Sequence, residues 1–247
     1  MTDDSQNGDK VVIDVLDSNY PLLKRFRESC PGTFKHCQNV VSLLEGIGLT
    51  LGLDTNGMKI MGQYHDIGKM FNPKFFTENQ VEDENPHDKL DPKMSYQIIT
   101  RHVSDTCLIL LNDDNFPREI IQRMCQHHGT SVVRYFFTKS GGDVEDLFRY
   151  KCERPTCVES ACLMICDQIE ARSRSEIQSK GEQAEPVSII EETFNELTND
   201  GQLDEVFMKI GHLRKIKEAL AKELEGIFHK RIDYKKSADE AESKKEV

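Results

Sequence analysis

The chain has 247 residues, with 32 Lys and Arg against 43 Asp and Glu, so its formal net charge is −11 with His neutral. That sign argues against a main role in coating nucleic acid or an anionic membrane, and no apolar run approaches the roughly 20 residues of a membrane span. Charged residues at 30% and hydrophobic residues at 37% give an ordinary soluble composition, while the lack of Trp leaves little for an aromatic base-binding platform.

Residues 1–10 read as a polar, disordered lead. The first strong helix opens after Pro31-Gly32, with His36, Val40, Leu43, Leu44, Ile47 and Leu51 on one stripe, and ends at Gly52 and Asp54. A second spans about Gly57 to Lys69, with Met61, Tyr64, His65 and Gly68 on one face. A polar loop follows from about Asn72 to Asp91, a length that often marks function. Asp91-Pro92 is a capped helix start, and the third helix carries Ser95, Ile98, Ile99, His102, Thr106 and Leu110. Phe116-Pro117 opens a fourth, bearing Ile120, Ile121, Met124, His127 and His128 and stopped by Gly129. Tyr135-Phe136-Phe137 fits a short strand or a helix equally. An irregular stretch, about Ser140 to Pro155, precedes a fifth helix from about Thr156 to Ser179 and a sixth from Pro186 to Asn199. The last, about Leu203 to Tyr234, carries Phe207, Ile210, Leu213, Leu220, Leu224 and Ile227. The expectation is an all-α chain with one domain over 11–234 and a charged, solvated tail over 235–247.

Six of the eight histidines lie between residues 36 and 128. A lone His on an apolar helix face is usually a satisfied core residue. His36, His65, His102, His127 and His128 fall on core-facing stripes of four helices, and burying that many imidazoles is costly unless something binds them. A borderline divalent metal is the natural partner for neutral imidazole and carboxylate. Asp66 follows His65, so the two side chains diverge by about 100° on a helix, which leaves one carboxylate oxygen for a second ion. With Asp167 on the fifth helix, the set exceeds what one tetrahedral ion takes. A two-metal site follows, suited to Mn, Fe or another octahedral ion.

The sequence Tyr64-His65-Asp66-Ile67-Gly68-Lys69 resembles the H-D-I-G motif of the HD-domain phosphohydrolases, and Pro31-Gly32-Thr33-Phe34-Lys35-His36 resembles the P-G-T-x-x-H that opens one branch. That branch is the catalytic domain of the PgpH-type seven-transmembrane HD receptors, which are cyclic di-AMP phosphodiesterases. The resemblance continues through Phe75–Gln80, Asn85–Leu90, Ile98–Val103, Gln126–Thr130 and Met164–Arg174, and so covers about residues 20 to 180. It implies an HD-domain helical bundle around two divalent ions. His36, His65, Asp66 and Asp167 would hold one; Asp66, His102, His127 and His128 would hold the other, with Asp66 bridging. A hydroxide between the metals would open the cyclic dinucleotide to a linear one.

Other residues carry two readings each. Lys69 is a phosphate contact or a solvated terminal Lys. His87 and Lys89 contact the nucleotide, or His87 ties the long loop down. Thr130, Ser131 and Arg134 line a phosphate or base pocket, or serve only the surface. Arg174 and Arg172 bind phosphate or pair with Glu170 and Glu176 on a solvated face. His212 and His229 lie outside the pattern and read as surface residues. Competing functions are a cyclic di-GMP phosphodiesterase, a simpler nucleotide phosphohydrolase, an HD-fold di-iron oxygenase and a non-catalytic nucleotide sensor. No Gly-Tyr-Pro follows His128, as the cyclic di-GMP branch would have. The polar, acidic start resembles neither a signal nor a transit peptide. The expected setting is therefore cytoplasmic, with the eight cysteines as free thiols and with no polymeric nucleic acid or membrane as partner.

Overall fold

This computed structural model describes residues 14–80, 85–142 and 144–243. The expected polar lead over residues 1–10 lies outside the described residues, as do 244–247 of the expected tail. The described fold is all-α: nine α-helices, no strand, and one isolated antiparallel bridge between Val132 and Arg149. They are α1 (Pro21–Ser29), α2 (Pro31–Leu51), α3 (Thr55–Tyr64), α4 (Pro92–Leu111), α5 (Arg118–Met124), α6 (Arg134–Lys139), α7 (Val158–Lys180), α8 (Pro186–Asn199) and α9 (Ile210–Ser243).

Helix α2 is the hub, packed against α3, α7 and α9. Its apolar stripe, Val40, Leu43, Leu44 and Ile47, is fully buried. The first half of helix α7 is enclosed on all sides: every residue from Ser160 to Asp167 is buried. A helix covered all round has no polar face to read as a periodicity. These two helices are the rigid frame from which His36 and Asp167 project.

Several elements differ from the sequence reading. Helix α1, with Leu23 and Phe26 buried, precedes the first predicted helix. The predicted second helix stops at Tyr64, and Ile67–Phe71 forms a tight 3-10 turn instead. The cause is tertiary. The Gly68 N–H donates to Thr106 Oγ1 at 3.0 Å, and Thr106 Oγ1 donates to the His65 carbonyl at 3.0 Å. A Cβ on Gly68 would lie 2.1 Å from the His102 carbonyl oxygen. The chain at His65-Asp66 is thus clamped directly onto α4. Likewise α5 ends at Met124, and His127-His128 lie in the following turns. Tyr135-Phe136-Phe137 is helical, within α6. Helix α9 starts at Ile210, later than expected, so Phe207 and Ile210 are exposed, and it continues as helix through Ser243, into the segment read as a tail. Cys107 and Cys125 are joined as a disulfide between α4 and the end of α5, against the expectation of free thiols. Their Cα atoms are 6.8 Å apart, within bridging reach. The other six cysteines are free.

Candidate metal centre

Five elements converge on one buried cluster. Helix α2 supplies His36, the turn after α3 supplies His65 and Asp66, α4 supplies His102, the turn after α5 supplies His127 and His128, and α7 supplies Asp167. The ligand atoms form two groups, His36, His65, Asp66 and Asp167, and Asp66, His102, His127 and His128, each with its atoms within 4.8 Å of one another. Asp66 belongs to both. Its Oδ1 faces His102 at 3.2 Å and His127 at 3.8 Å, while its Oδ2 faces His65 at 3.4 Å and His36 at 3.7 Å. The side chains diverge because Asp66 leaves helical geometry, with φ −107° and ψ 9°.

The donor chemistry fits divalent ions. Nδ1 of His65, His102 and His127 faces the carbonyl oxygen three residues earlier, Gly62 at 3.0 Å, Ile99 at 2.6 Å and Met124 at 2.6 Å. These carbonyls can only accept, so the histidines donate from Nδ1 and present lone pairs at Nε2. The Nε2 atoms of His127 and His128 nonetheless lie 3.3 and 3.2 Å from that of His102. For His102 and His127, both donating from Nδ1, facing lone pairs at that distance call for a cation between them, whereas His128, with no carbonyl fixing its tautomer, can also donate from Nε2 to His102. In the other group, His36 Nε2 lies 3.0 Å from Asp167 Oδ1. The angles there do not make a hydrogen bond, and Nε2 of His36 and His65 and Oδ1 of Asp66 are buried without one. Buried polar atoms without partners are rare and call for an ion or water.

Electrostatics divides the groups. Burial would lower the pKa of His36, but Glu170 and Asp167 override it and push it up to about 10. Burial would raise Asp66, but Lys69 and His65 hold it well below the usual carboxylate range. Asp167 is held down likewise by His36 and His65. In contrast, burial and the neighbouring histidines depress His127 to about 3 and hold His128 well below its ordinary value. Both are neutral and ready to bind metal at neutral pH.

Three supporting features were not read from the sequence. Glu78, in the long loop, accepts from Lys69 Nζ at 2.8 Å and Thr33 Oγ1 at 2.9 Å, which steers Lys69 Nζ to 2.7 Å from Asp66 Oδ2. Burial would raise the Glu78 carboxyl, but Lys69 and Arg174 lower it to about 2. Gly32 explains the start of α2: a Cβ there would lie 1.7 Å from the Glu78 carbonyl oxygen. Glu170 is fully buried, 2.5 Å from His36 Nδ1, and does not lie on a solvated face. Tyr150 is buried and stacks on the His128 ring at 4.2 Å between centroids. The i, i+3 spacing of Asp167 and Glu170 was the available signal for one of these; Glu78 stood only within the Phe75–Gln80 stretch of the resemblance, with no role of its own, and Tyr150 had no signal.

The remaining candidates are spread around this cluster. Lys69 is half-buried between Asp66 and Glu78 and 4.8 Å from the centroid of Phe76. Arg174 is 3.8 Å from Glu78 Oε2, whereas Arg172 pairs with Glu192 and Glu196. His87 is buried, with Nε2 2.9 Å from the Phe75 carbonyl and its ring against Phe75 and Phe136, so it ties the loop down. Lys89 is exposed at the loop's end. Ser131 and Arg134 line a cavity of about 640 Å³ with His128, Tyr150 and Gln168, and Arg134 pairs with Glu145. Thr130 is held at its N–H by Gln202 and at its carbonyl by Arg149. His212 is half-buried on α9 and belongs to neither ligand group.

Comparison with known proteins is consistent with this geometry. Residues 33–172 match the HD domain family. The chain is 34% identical over 227 residues to the cyclic-di-AMP phosphodiesterase PgpH of Bacillus subtilis, covering 90% of this chain and 32% of that protein. It is also 34% identical over 232 residues to PgpH of Listeria monocytogenes, covering 92% and 32%. The chain therefore spans about a third of the length of the curated relatives it matches. Among solved structures, the HD domain of L. monocytogenes PgpH superposes with a TM-score of 0.77 at 34% identity, over 85% of this chain and all of that one. The same domain in complex with cyclic-di-AMP superposes with a TM-score of 0.75 at 33% identity, over 85% of this chain and 98% of that one.

Proposed function

This chain belongs to the HD-domain family, and on that premise we propose that it is a metal-dependent phosphodiesterase that hydrolyses cyclic di-AMP to a linear dinucleotide. The observation that carries the reading is Asp66, one carboxylate facing two complete ligand groups, in a chain whose relatives are named for cleaving that substrate. In the proposal His36, His65, Asp66 and Asp167 hold one ion and Asp66, His102, His127 and His128 the other, with Mn or Fe as the ions. Two ions would supply an activated water and neutralise charge on the phosphodiester.

The chain's own residues do the rest. Asp66 fixes the spacing of the two groups. Lys69, held on Asp66 by Glu78, offers a point charge to a phosphoryl oxygen. Phe76, buried 5.8 Å from the His102 ring, closes the loop side and excludes water. Ser131 and Arg134 bound the cavity beside His128, where a base or second phosphate would lie, and Thr130, held by Gln202 and Arg149, anchors the turn that leads into it. Arg174 and Lys89 add positive charge along the loop. No described helix is long and apolar enough to cross a membrane, and the proposal places this domain in the cytoplasm.

Purified protein loaded with Mn²⁺ should convert cyclic di-AMP to the linear dinucleotide, read by chromatography. Cleavage of cyclic di-GMP in preference, or binding of cyclic di-AMP without any product, would overturn the assignment.

A further inference from the structure

The two ligand groups differ in what stands behind them. His65, His102 and His127 are braced locally, each by the carbonyl three residues earlier. His36, inside α2, does not use that device. Its Nδ1 is instead met at 2.5 Å by Glu170 Oε2, from α7, 134 residues away in sequence. Among the described residues, it is the one ligand histidine whose outer nitrogen lies within hydrogen-bonding distance of a carboxylate. Glu170 is fully buried, and its Oε1 accepts from Asn39 Nδ2 at 2.8 Å, so its position is fixed from both sides.

The charge balance follows. The His36 group contains Asp66 and Asp167 and has Glu170 behind it. The His102 group contains three imidazoles and only the shared Asp66. Lys69 lies 2.7 Å from Asp66 Oδ2 and subtracts from the first group, but Glu78 sits on the same ammonium at 2.8 Å. The surplus of negative charge on the His36 side remains. A carboxylate behind a ligating imidazole fixes the ring and raises its basicity, an effect of about 10- to 100-fold in affinity.

We propose that Glu170 is a positioning residue that makes the His36 group the tighter of two inequivalent metal positions, so that ions load there first and at the His102 group second. The inference rests on reading both groups as metal positions, and it deepens that reading by giving them an order.

Calorimetric titration of the metal-free protein with Mn²⁺ tests it without substrate. The wild type should show two affinity classes. Glu170→Gln, which keeps the shape and removes the charge, should weaken the tighter class by about 10- to 100-fold and leave the weaker class unchanged. His102→Ala should abolish the weaker class and keep the tighter. Should Glu170→Gln not fold, as judged by thermal melting, Asn39→Ala decides, since it loosens Glu170 without touching a ligand: a loss confined to the tighter class supports the proposal. A single affinity class in the wild type, equal weakening of both classes, or an unchanged tighter class in the folded variant would overturn it. Ordered loading without cleavage of cyclic di-AMP would leave this inference standing and sink the proposed activity; the converse result would do the opposite.

Discussion

Gly68 offers a direct test of how the His65-Asp66 turn is held. What it packs against is backbone: a Cβ at residue 68 would lie 2.1 Å from the His102 carbonyl oxygen and 2.6 Å from the Thr106 nitrogen, where ordinary contact begins at 3.4 Å. Neither atom can swing aside, because both belong to α4. Gly68→Ala must therefore drive the turn and α4 apart by about 1 Å, and these two elements carry Asp66 and His102, which face each other at 3.2 Å. Overpacking of this kind costs about 1–3 kcal/mol or more, which in a chain of this size lowers Tm by roughly 2–12 °C. A displacement of about 1 Å among catalytic groups costs about 100-fold in rate. The assays are thermal unfolding of the metal-free protein and hydrolysis of cyclic di-AMP at saturating Mn²⁺. Gly226→Ala is the control, since a Cβ there meets nothing within 4 Å, and it should be neutral or stabilising by up to about 1 kcal/mol. A Gly68→Ala protein with wild-type Tm and rate would refute the claim that the glycine is dictated by close packing on α4.

Asp66→Ala should abolish hydrolysis, because it removes a ligand from both groups at once, while His212→Ala, outside both groups, should keep wild-type activity; product chromatography reads both. Metal analysis of protein purified without chelator should approach two equivalents of Mn, Fe or a similar ion, and a reproducible ceiling of one would remove the dinuclear reading. The metal-free protein should lose stability as pH rises from 7 toward 10. His36 is pushed up to about 10 in the fold, above its ordinary 6.5, so its contribution is complete below about pH 6.5 and is lost as pH climbs through the folded value. Saturating Mn²⁺ should flatten that slope, because coordination already requires the neutral imidazole; thermal melts across pH with and without metal would show it.

The all-α character was readable because α2, α4 and α8 repeat their apolar residues with helical period and open on a proline. The ligand residues were readable as types, because histidines on buried stripes have few other uses. What the sequence could not show was where helices stop for tertiary reasons. Residues 65 to 69 keep a helical pattern, yet the turn forms because α4 captures Gly68 and His65 through Thr106. The partners of the ligands were equally hidden. Glu170 looked like one more acid on a charged helix, and only the packing of α7 against α2 reveals that His36 is its counterpart. Glu78 lies in a loop with no periodicity, and its role depends on a contact to Lys69 closed across nine residues.

The family match ends at residue 172, but the support of the site reaches further along the chain. Gln202, beyond α8, is fully buried against the turn that follows the histidine pair. Its Oε1 accepts the Thr130 N–H at 3.0 Å and its Nε2 donates to Thr130 Oγ1 at 2.9 Å, while Arg149 donates to the Thr130 carbonyl at 2.8 Å. Arg149 is in turn bound to Asp200, two residues before Gln202. Both backbone groups of Thr130 are thus taken by side chains anchored at the end of α8, and Gly129, at φ +49°, leaves no room for a Cβ, which would lie 2.4 Å from Gln202 Oε1. His127 and His128 immediately precede this clamp, whereas His36, His65 and Asp167 are held by other elements. Gln202→Ala should therefore act on one ligand group. Losing its bonds takes the partner from the part-buried Thr130 N–H, at a cost of up to about 1–3 kcal/mol, and the released turn should weaken Mn²⁺ binding at the His102 group while the tighter class keeps its wild-type affinity. Calorimetry that showed both classes intact, or both lost in a protein that still melts cooperatively, would mean that the segment after α8 does not position the histidine pair.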